Sequence, residues 1–293
     1  MNFATAKSGA EKVRGSVLKR TIGMICAAAI TGAAFTGLAA GTASADAGCP
    51  DLHWIGAAGS GERANPTEND GMGQVVFDTF RQLQATLAHD GRTITAEAVD
   101  YPATAVPPDG SIMGWAGFMN SVDAGTAALG KQYAAYTQQC PNTKVVLAGY
   151  SQGAMVVHRN LYGLAGSPNL AATLLIADGD RIPDDTTVDL GTVTAVPGRG
   201  LGAAQDHYIL AHTNTAKLPA ALGSRTISVC DLNDPVCDYN SDANSTASAA
   251  VSIHTGYSVA SSEGRAWTSL LEQLLSPSGA PSSPASGVSR AAA

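Results

Sequence analysis

Charge is scarce in this chain of 293 residues, and basic charge is scarcest: Asp, Glu, Lys and Arg together make up 14 %, with 24 acidic against 17 basic residues. Five of the basic residues and one acidic residue lie in the first 45 positions, which leaves 12 against 23 beyond them, a net charge near −11. So acidic a body argues against nucleic acid as a partner and against electrostatic docking on an anionic membrane. No C-x-x-C pair occurs, which removes zinc-ribbon and thioredoxin-like readings. The Gly-rich stretch 57–63 fits neither G-x-G-x-x-G nor the Walker pattern, so it is not read as a nucleotide cradle. Asp178, Asp180, Asp184 and Asp185 lack EF-hand spacing and read as a solvated loop. No metal and no cofactor are expected. There is no internal repeat, and beyond the N-terminus no run is apolar for long enough to span a bilayer.

What is present begins with a targeting pattern. Residues 1–20 are polar and basic, 21–40 are Ala-rich and apolar, and Ala43-Ser44-Ala45 is a small-x-small cleavage site. The expected organisation is a secretory signal peptide over 1–45, one domain over 46–275, and a Ser/Pro/Ala-rich disordered tail over 276–293. The protein is expected outside the cell, as a monomer without a stable membrane span. Cys26 leaves with the signal, and the other four cysteines (Cys49, Cys140, Cys230, Cys237) form the even set of an oxidising compartment. Three pairings are open, and Cys230 with Cys237 would close a small loop.

Apolar periodicity predicts helices over about 73–88, 115–137 and 152–164, and a last one carrying Ala266, Trp267, Leu270, Leu271 and Leu274 on one face. Strands are expected at 51–56, 92–99, 145–148, 171–177 and 226–229, with a short one at 207–210. The aromatics of the second helix, Trp115 among them, read as core packing, and 178–204 gives little regular pattern. Alternating strands and helices imply an α/β fold in three layers, with a mostly parallel central sheet covered on both faces.

One stretch organises the rest. Val145, Val146, Leu147 and Ala148 lead into Gly149-Tyr150-Ser151-Gln152-Gly153, and a helical pattern follows. G-x-S-x-G between a buried strand and a helix is the setting of a serine nucleophile on a sharp turn, with the backbone N–H of Gln152 placed to hold an oxyanion. Such a serine needs a base, and the base an orienting acid, in the chain order Ser, Asp or Glu, His. His158, His207, His212 and His254 follow Ser151. His158 falls in the elbow helix, where surface or packing is its expected role. His254 leaves the most room for an acid before it. Asp234, between Cys230 and Cys237, is the best acid, with Asp231 and Asp238 as rivals.

Several further motifs stand in order: Cys49-Pro50-Asp51 opening a strand, Gly59-Ser60-Gly61-Glu62, 99–103 (Val-Asp-Tyr-Pro-Ala), Cys140-Pro141 before the elbow, Asp234-Pro-Val-Cys237, and His254-x-x-Tyr257. Across roughly 49–275 the chain resembles the cutinase family of serine esterases, in its actinobacterial branch. The resemblance implies a cutinase-like fold, a catalytic triad of Ser151, Asp234 and His254, and an oxyanion hole from Ser60 and Gln152. It also implies disulfides Cys49–Cys140 and Cys230–Cys237, and an ester substrate, with polyester, triacylglycerol and phospholipid at a lipid or polymer surface and acetylated polysaccharide all left open, as is acyl transfer in place of hydrolysis. Two departures stand out. Ala58 occupies a position where the family usually has Arg, so the anchoring of the Ser60 loop is open. The stretch 178–229 is long and irregular, and able to reshape the mouth of the site.

Overall fold

The computed structural model describes residues 48–195, 198–204, 216–240 and 248–276. The expected signal peptide, the strand at 207–210, His207, His212 and the tail beyond Ser276 lie outside them.

In chain order the elements are β1 (Leu52–Ala57), α1 (Gln74–His89), β2 (Ile94–Ala98), α2 (Ile112–Gln139), β3 (Lys144–Tyr150), α3 (Gln152–Leu164), β4 (Leu170–Ile176), β5 (Val188–Leu190), α4 (Leu201–Ala204), α5 (Ala220–Gly223), β6 (Thr226–Val229), α6 (Ser248–His254) and α7 (Ser262–Leu275). The strands form one sheet in the order β2-β1-β3-β4-β6-β5. Each of its pairings is parallel. Parallel strands need crossover connections, so helices cover both faces.

The pleat decides which residue faces which layer. Along β1, Leu52 and Trp54 enter one core with Val76, Phe80 and Leu83 of α1 and Trp267 and Leu271 of α7. Ile55 and Ala57 enter the other, with Val122 and Leu129 of α2 and Val156 and Val157 of α3. Successive strand residues point to opposite faces, so a strand buried on both sides reads as a continuous apolar run. The ends of two helices are fixed by side chains. Ser111 Oγ accepts the Gly114 N–H at 3.1 Å at the start of α2, and Ser261 Oγ accepts the Gly264 N–H at 2.9 Å at the start of α7.

Three expectations need correction. The stretch 178–204 holds regular structure after all, including β5 on the sheet edge and the single turn α4. A three-residue strand is too short for a periodicity to register. In α7, Ala266 is exposed, and the buried face runs through Gly264, Trp267, Thr268, Leu271 and Leu275. The aspartates of 178–185 are not uniformly solvated, because Asp178 and Asp180 are each 1 % exposed. Their carboxylates are buried against His158 and Arg159 of α3.

Candidate active site

The sharp turn after β3 has a steric cause. A Cβ at Gly149 would overlap the carbonyl of Gly153, and one at Gly153 would overlap the carbonyl of Ala57 at the end of β1. Between them Ser151 takes φ 53°, ψ −117°, a strained conformation for a residue with a side chain. It occupies the N-cap position of α3, yet its hydroxyl caps nothing there. That hydroxyl lies 3.0 Å from Nε2 of His254 instead.

His254 is the last residue of α6. Its other ring nitrogen, Nδ1, is 3.0 Å from both carboxylate oxygens of Asp234. Asp234 is fully buried. Its charge is met by three further donors. The N–H groups of Val236 and Cys237 donate to Oδ1 at 2.7 and 3.2 Å, and the Tyr257 hydroxyl donates to Oδ2 at 2.8 Å. A buried carboxylate held by several donors has a fixed orientation. Tyr150 completes the frame: its hydroxyl donates to the carbonyl of His254 at 2.7 Å and its ring stacks on the imidazole, with centroids 5.3 Å apart.

The rival acids are engaged elsewhere. Asp231 accepts the N–H and hydroxyl of Thr192 at 3.0 and 2.9 Å, and Asp238 accepts the Asn233 N–H at 2.8 Å. Both disulfides named with the resemblance are present. Cys230–Cys237 closes the loop that carries Asp234, and Cys49–Cys140 joins the chain ahead of β1 to the end of α2.

The Ser60 loop is anchored without an arginine at position 58. The carboxylate of Glu62 accepts the Gly59 N–H at 2.6 Å and the Gln74 N–H at 3.0 Å, tying the loop to the start of α1. The Gly61 N–H donates to the carbonyl of Ala103 at 2.7 Å, and the Tyr101 hydroxyl donates to the carbonyl of Ala58. Glu62 and Tyr101 both fell within the sequence motifs, but the motifs do not say what they touch: Glu62 reaches Gly59 in its own motif and Gln74 twelve residues on, and Tyr101 reaches back 43 residues to Ala58. The side chain of Gln152 is drawn away from Ser151, donating to the carbonyl of Thr104 at 3.1 Å and accepting from Ser121 at 3.3 Å.

Beside Ser151 lies a cleft of about 370 Å³, counting its open mouth, lined mainly by apolar groups: Val106, Trp115, Phe118, Met155, Leu201 and Val236. Trp115 thus faces the site as well as the core. The segment 178–204 supplies Gly179, Leu201 and Gly202 to the same lining, so it does shape the mouth. Among the described residues no cluster of His, Cys, Asp and Glu could hold a metal ion, and no helix is long and apolar enough to cross a membrane.

The family model for Cutinase matches residues 48–274. The chain belongs to the cutinase family. Over 125 residues it is 35 % identical to acetylxylan esterase 2 of Talaromyces purpureogenus, covering 43 % of this chain and 47 % of that one. Over 113 residues it is 36 % identical to cutinase 4 of Emericella nidulans, covering 39 % and 43 %. The chain thus spans a little under half the length of these two relatives. Among solved structures, the catalytic core domain of acetyl xylan esterase from Trichoderma reesei superposes with a TM-score of 0.50 at 23 % identity, over 78 % of this chain and 98 % of that one. At that identity the likeness concerns the cutinase-like α/β fold alone.

One acid near this site titrates in an unusual range. Burial, and then the charge of Asp231 and a hydrogen bond to it, push Glu263 from 4.5 up to about 7. A carboxyl whose pKa is raised on folding holds its proton more tightly in the folded state. The folded state therefore loses stability as pH rises from about 4.5 through about 7. Glu263→Gln should raise the melting temperature at pH 8 relative to the wild type, and that advantage should vanish by pH 4. Thermal unfolding at the two pH values checks it.

Proposed function

We propose that the protein is a secreted serine esterase in which Ser151, His254 and Asp234 form a catalytic triad. The observation that carries this reading is His254 itself, its two ring nitrogens 3.0 Å from Ser151 Oγ and 3.0 Å from the Asp234 carboxylate. His254 takes the proton from Ser151 as the oxygen attacks the ester carbonyl. The backbone N–H groups of Gln152 and Ser60, helped by the Ser60 hydroxyl, hold the oxyanion, each donor contributing about 3–4 kcal/mol to the barrier reduction. His254 then protonates the departing alcohol, and water, activated by the same imidazole, releases the acid from the acyl-enzyme. Asp234 holds the imidazole tautomer and stabilises its charged form. No step calls on a metal or a cofactor.

The proposed substrate is a carboxylic ester with a short or medium acyl chain. The apolar lining beside Ser151 supports it. A lipid or polymer surface as its source is supported by the large apolar residues left in water near the mouth: Val106, Ile112 and Met113, the last two in the first turn of α2. Export is supported by the N-terminal pattern and by the two disulfides. The testing experiment is hydrolysis of p-nitrophenyl esters from acetate to palmitate by the chain from residue 46 onward. The expected profile peaks between butyrate and octanoate. A peak at acetate alone moves the reading to deacetylation of a polysaccharide, the substrate class in the name of the Talaromyces relative. Products formed with an added alcohol separate hydrolysis from acyl transfer, which would use the same residues. A folded protein inert on every ester overturns the proposal.

A further inference from the structure

Directly behind the nucleophile elbow lies a buried ionic network that the proposed chemistry does not use. His158 and Arg159 sit two turns along α3 from Ser151. His158 Nδ1 lies 2.5 Å from Asp178 Oδ2, and Arg159 Nε donates to Asp180 Oδ2 at 2.7 Å. All four side chains are nearly closed to water, between 1 % and 7 % exposed. Burial pushes the His158 pKa down, but the charge of Asp178 and its hydrogen bond, with Asp180 and Asp185 behind, pull it up to about 9. The Asp178 carboxylate beside it thus favours the protonated ring, and the short Nδ1–Oδ2 contact fixes His158 against the turn after β4.

What these ions hold is one wall of the cleft. Asp178 Oδ1 also accepts the N–H of Asp180 at 2.9 Å, which curls 178–180 into a tight turn after β4. The carbonyl of Gly179 at its crest accepts the Gly202 N–H at 2.7 Å, and the carbonyl of Arg181 accepts the Gly200 N–H at 2.9 Å. The two backbones approach so closely that a Cβ at Gly202 would overlap the Asp180 carboxylate, and one at Gly200 the Gly179 carbonyl. The Leu201 N–H then donates to the carbonyl of Val236 at 2.7 Å, joining this wall to the loop of Asp234. Gly179, Leu201, Gly202 and Val236 all line the cleft. On its other arm Arg159 Nη1 reaches Asp123 at 3.3 Å on α2, the helix that brings Trp115 and Phe118 to the opposite wall.

We propose that His158 and Arg159 are positioning residues that determine acyl-chain specificity, by fixing the Gly179–Gly202 wall against which a chain longer than acetyl must lie. The inference rests on the esterase reading and deepens it. The described partners of His158 and Arg159 are Asp178, Asp180 and Asp123, and they lead to the lining. A buried charge pair with fixed hydrogen-bond geometry sets a position more sharply than apolar packing alone, because the alternative positions leave an ion unpaired.

The experiment compares His158→Gln, Arg159→Met and the paired Arg159→Met/Asp180→Leu, in which both ions are removed together to limit the cost of an orphaned charge. kcat and KM are measured with p-nitrophenyl acetate and octanoate, and folding is followed by circular dichroism. The octanoate-to-acetate ratio of kcat/KM should fall about tenfold, the scale of a misfitted methylene group, with the loss in KM for octanoate. Folded variants whose ratio stays within about twofold of wild type, or whose two substrates lose kcat equally, overturn the proposal. A second measurement does not depend on variants that fold. In a crystal of the wild-type protein trapped with an octylphosphonate on Ser151, the alkyl chain should lie along Gly179, Leu201 and Gly202. A chain running elsewhere overturns the assignment. Wild-type protein inert on both esters overturns the esterase reading first, and this inference falls with it.

Discussion

Ser151→Ala should lower kcat for p-nitrophenyl butyrate by about a million-fold while leaving the melting temperature within a few degrees of wild type, and His254→Ala should cost about as much. In the proposed triad the two side chains act as one unit. Without the hydroxyl there is no acyl-enzyme, and without the imidazole the hydroxyl keeps its proton. Asp234→Asn should be milder, about ten-thousand-fold, because the geometry survives but the amide favours the wrong imidazole tautomer. Stability should respond in the opposite order. Ser151 is 4 % exposed, and its side chain caps no helix, so truncation to Ala removes little that holds the fold. Asp234 is fully buried and accepts from Val236, Cys237 and Tyr257, so an amide in its place sets an N–H group against donors. Steady-state kinetics paired with thermal unfolding for all three variants checks both orders. A Ser151→Ala enzyme within about a hundredfold of wild type would mean that the triad is misassigned.

The two disulfides should separate stability from activity. Cys49 and Cys140 are 91 residues apart, and breaking that link to Ala at both positions should cost about 4–5 kcal/mol on the chain-entropy account. It lies at the amino ends of β1 and β3. Ser151 follows the carboxyl end of β3, about 20 Å away along a strand of seven residues. At temperatures where the variant is folded, its kcat should stay near wild type. Cys230 and Cys237 are only seven apart, and the same account gives about 2–3 kcal/mol for their removal. Yet that loop delivers the Asp234 carboxylate and the N–H groups that hold it. Loosening it should lower kcat by about a hundredfold or more, since misplacement by about an ångström carries a cost of that size. Denaturant unfolding and kcat on the two double variants, measured well below both transitions, give the comparison. Equal losses of kcat would show that the small loop is held by its packing and not by its disulfide.

The strongest elements were legible because they are local. The buried run 145–148, the glycines of the elbow and the spacing of Val76, Phe80 and Leu83 are patterns of chain neighbours, and each lies in the element expected of it. Asp234 stood out because two cysteines bracket it. Asp178 and Asp180 were misread as solvated because nothing in their own neighbourhood signals burial. Their partners are His158 and Arg159, about twenty residues earlier on α3. Trp115 was given a packing role alone, since a ring that faces a cleft and a ring that faces a core leave the same helical periodicity. The doubt over Ala58 had the same origin. The groups that replace an arginine there, Glu62 and Tyr101, are visible in the sequence, but what they touch is not.

The sequence by itself determined that this chain alternates strands and helices, that one serine stands on a glycine-flanked turn, and that an acid and a histidine follow it in the order a triad needs. These depend on steric and periodic rules that act over a few residues. The tertiary structure alone decided that Asp231 and Asp238 turn to other partners while Asp234 meets His254, how the Ser60 loop is tied to α1, and that 178–204 builds a cleft wall held from α3. Each of those depends on bringing together groups separated by about a dozen to a hundred residues. Distances of that kind are fixed by the parallel sheet and its crossovers, and no local pattern encodes them.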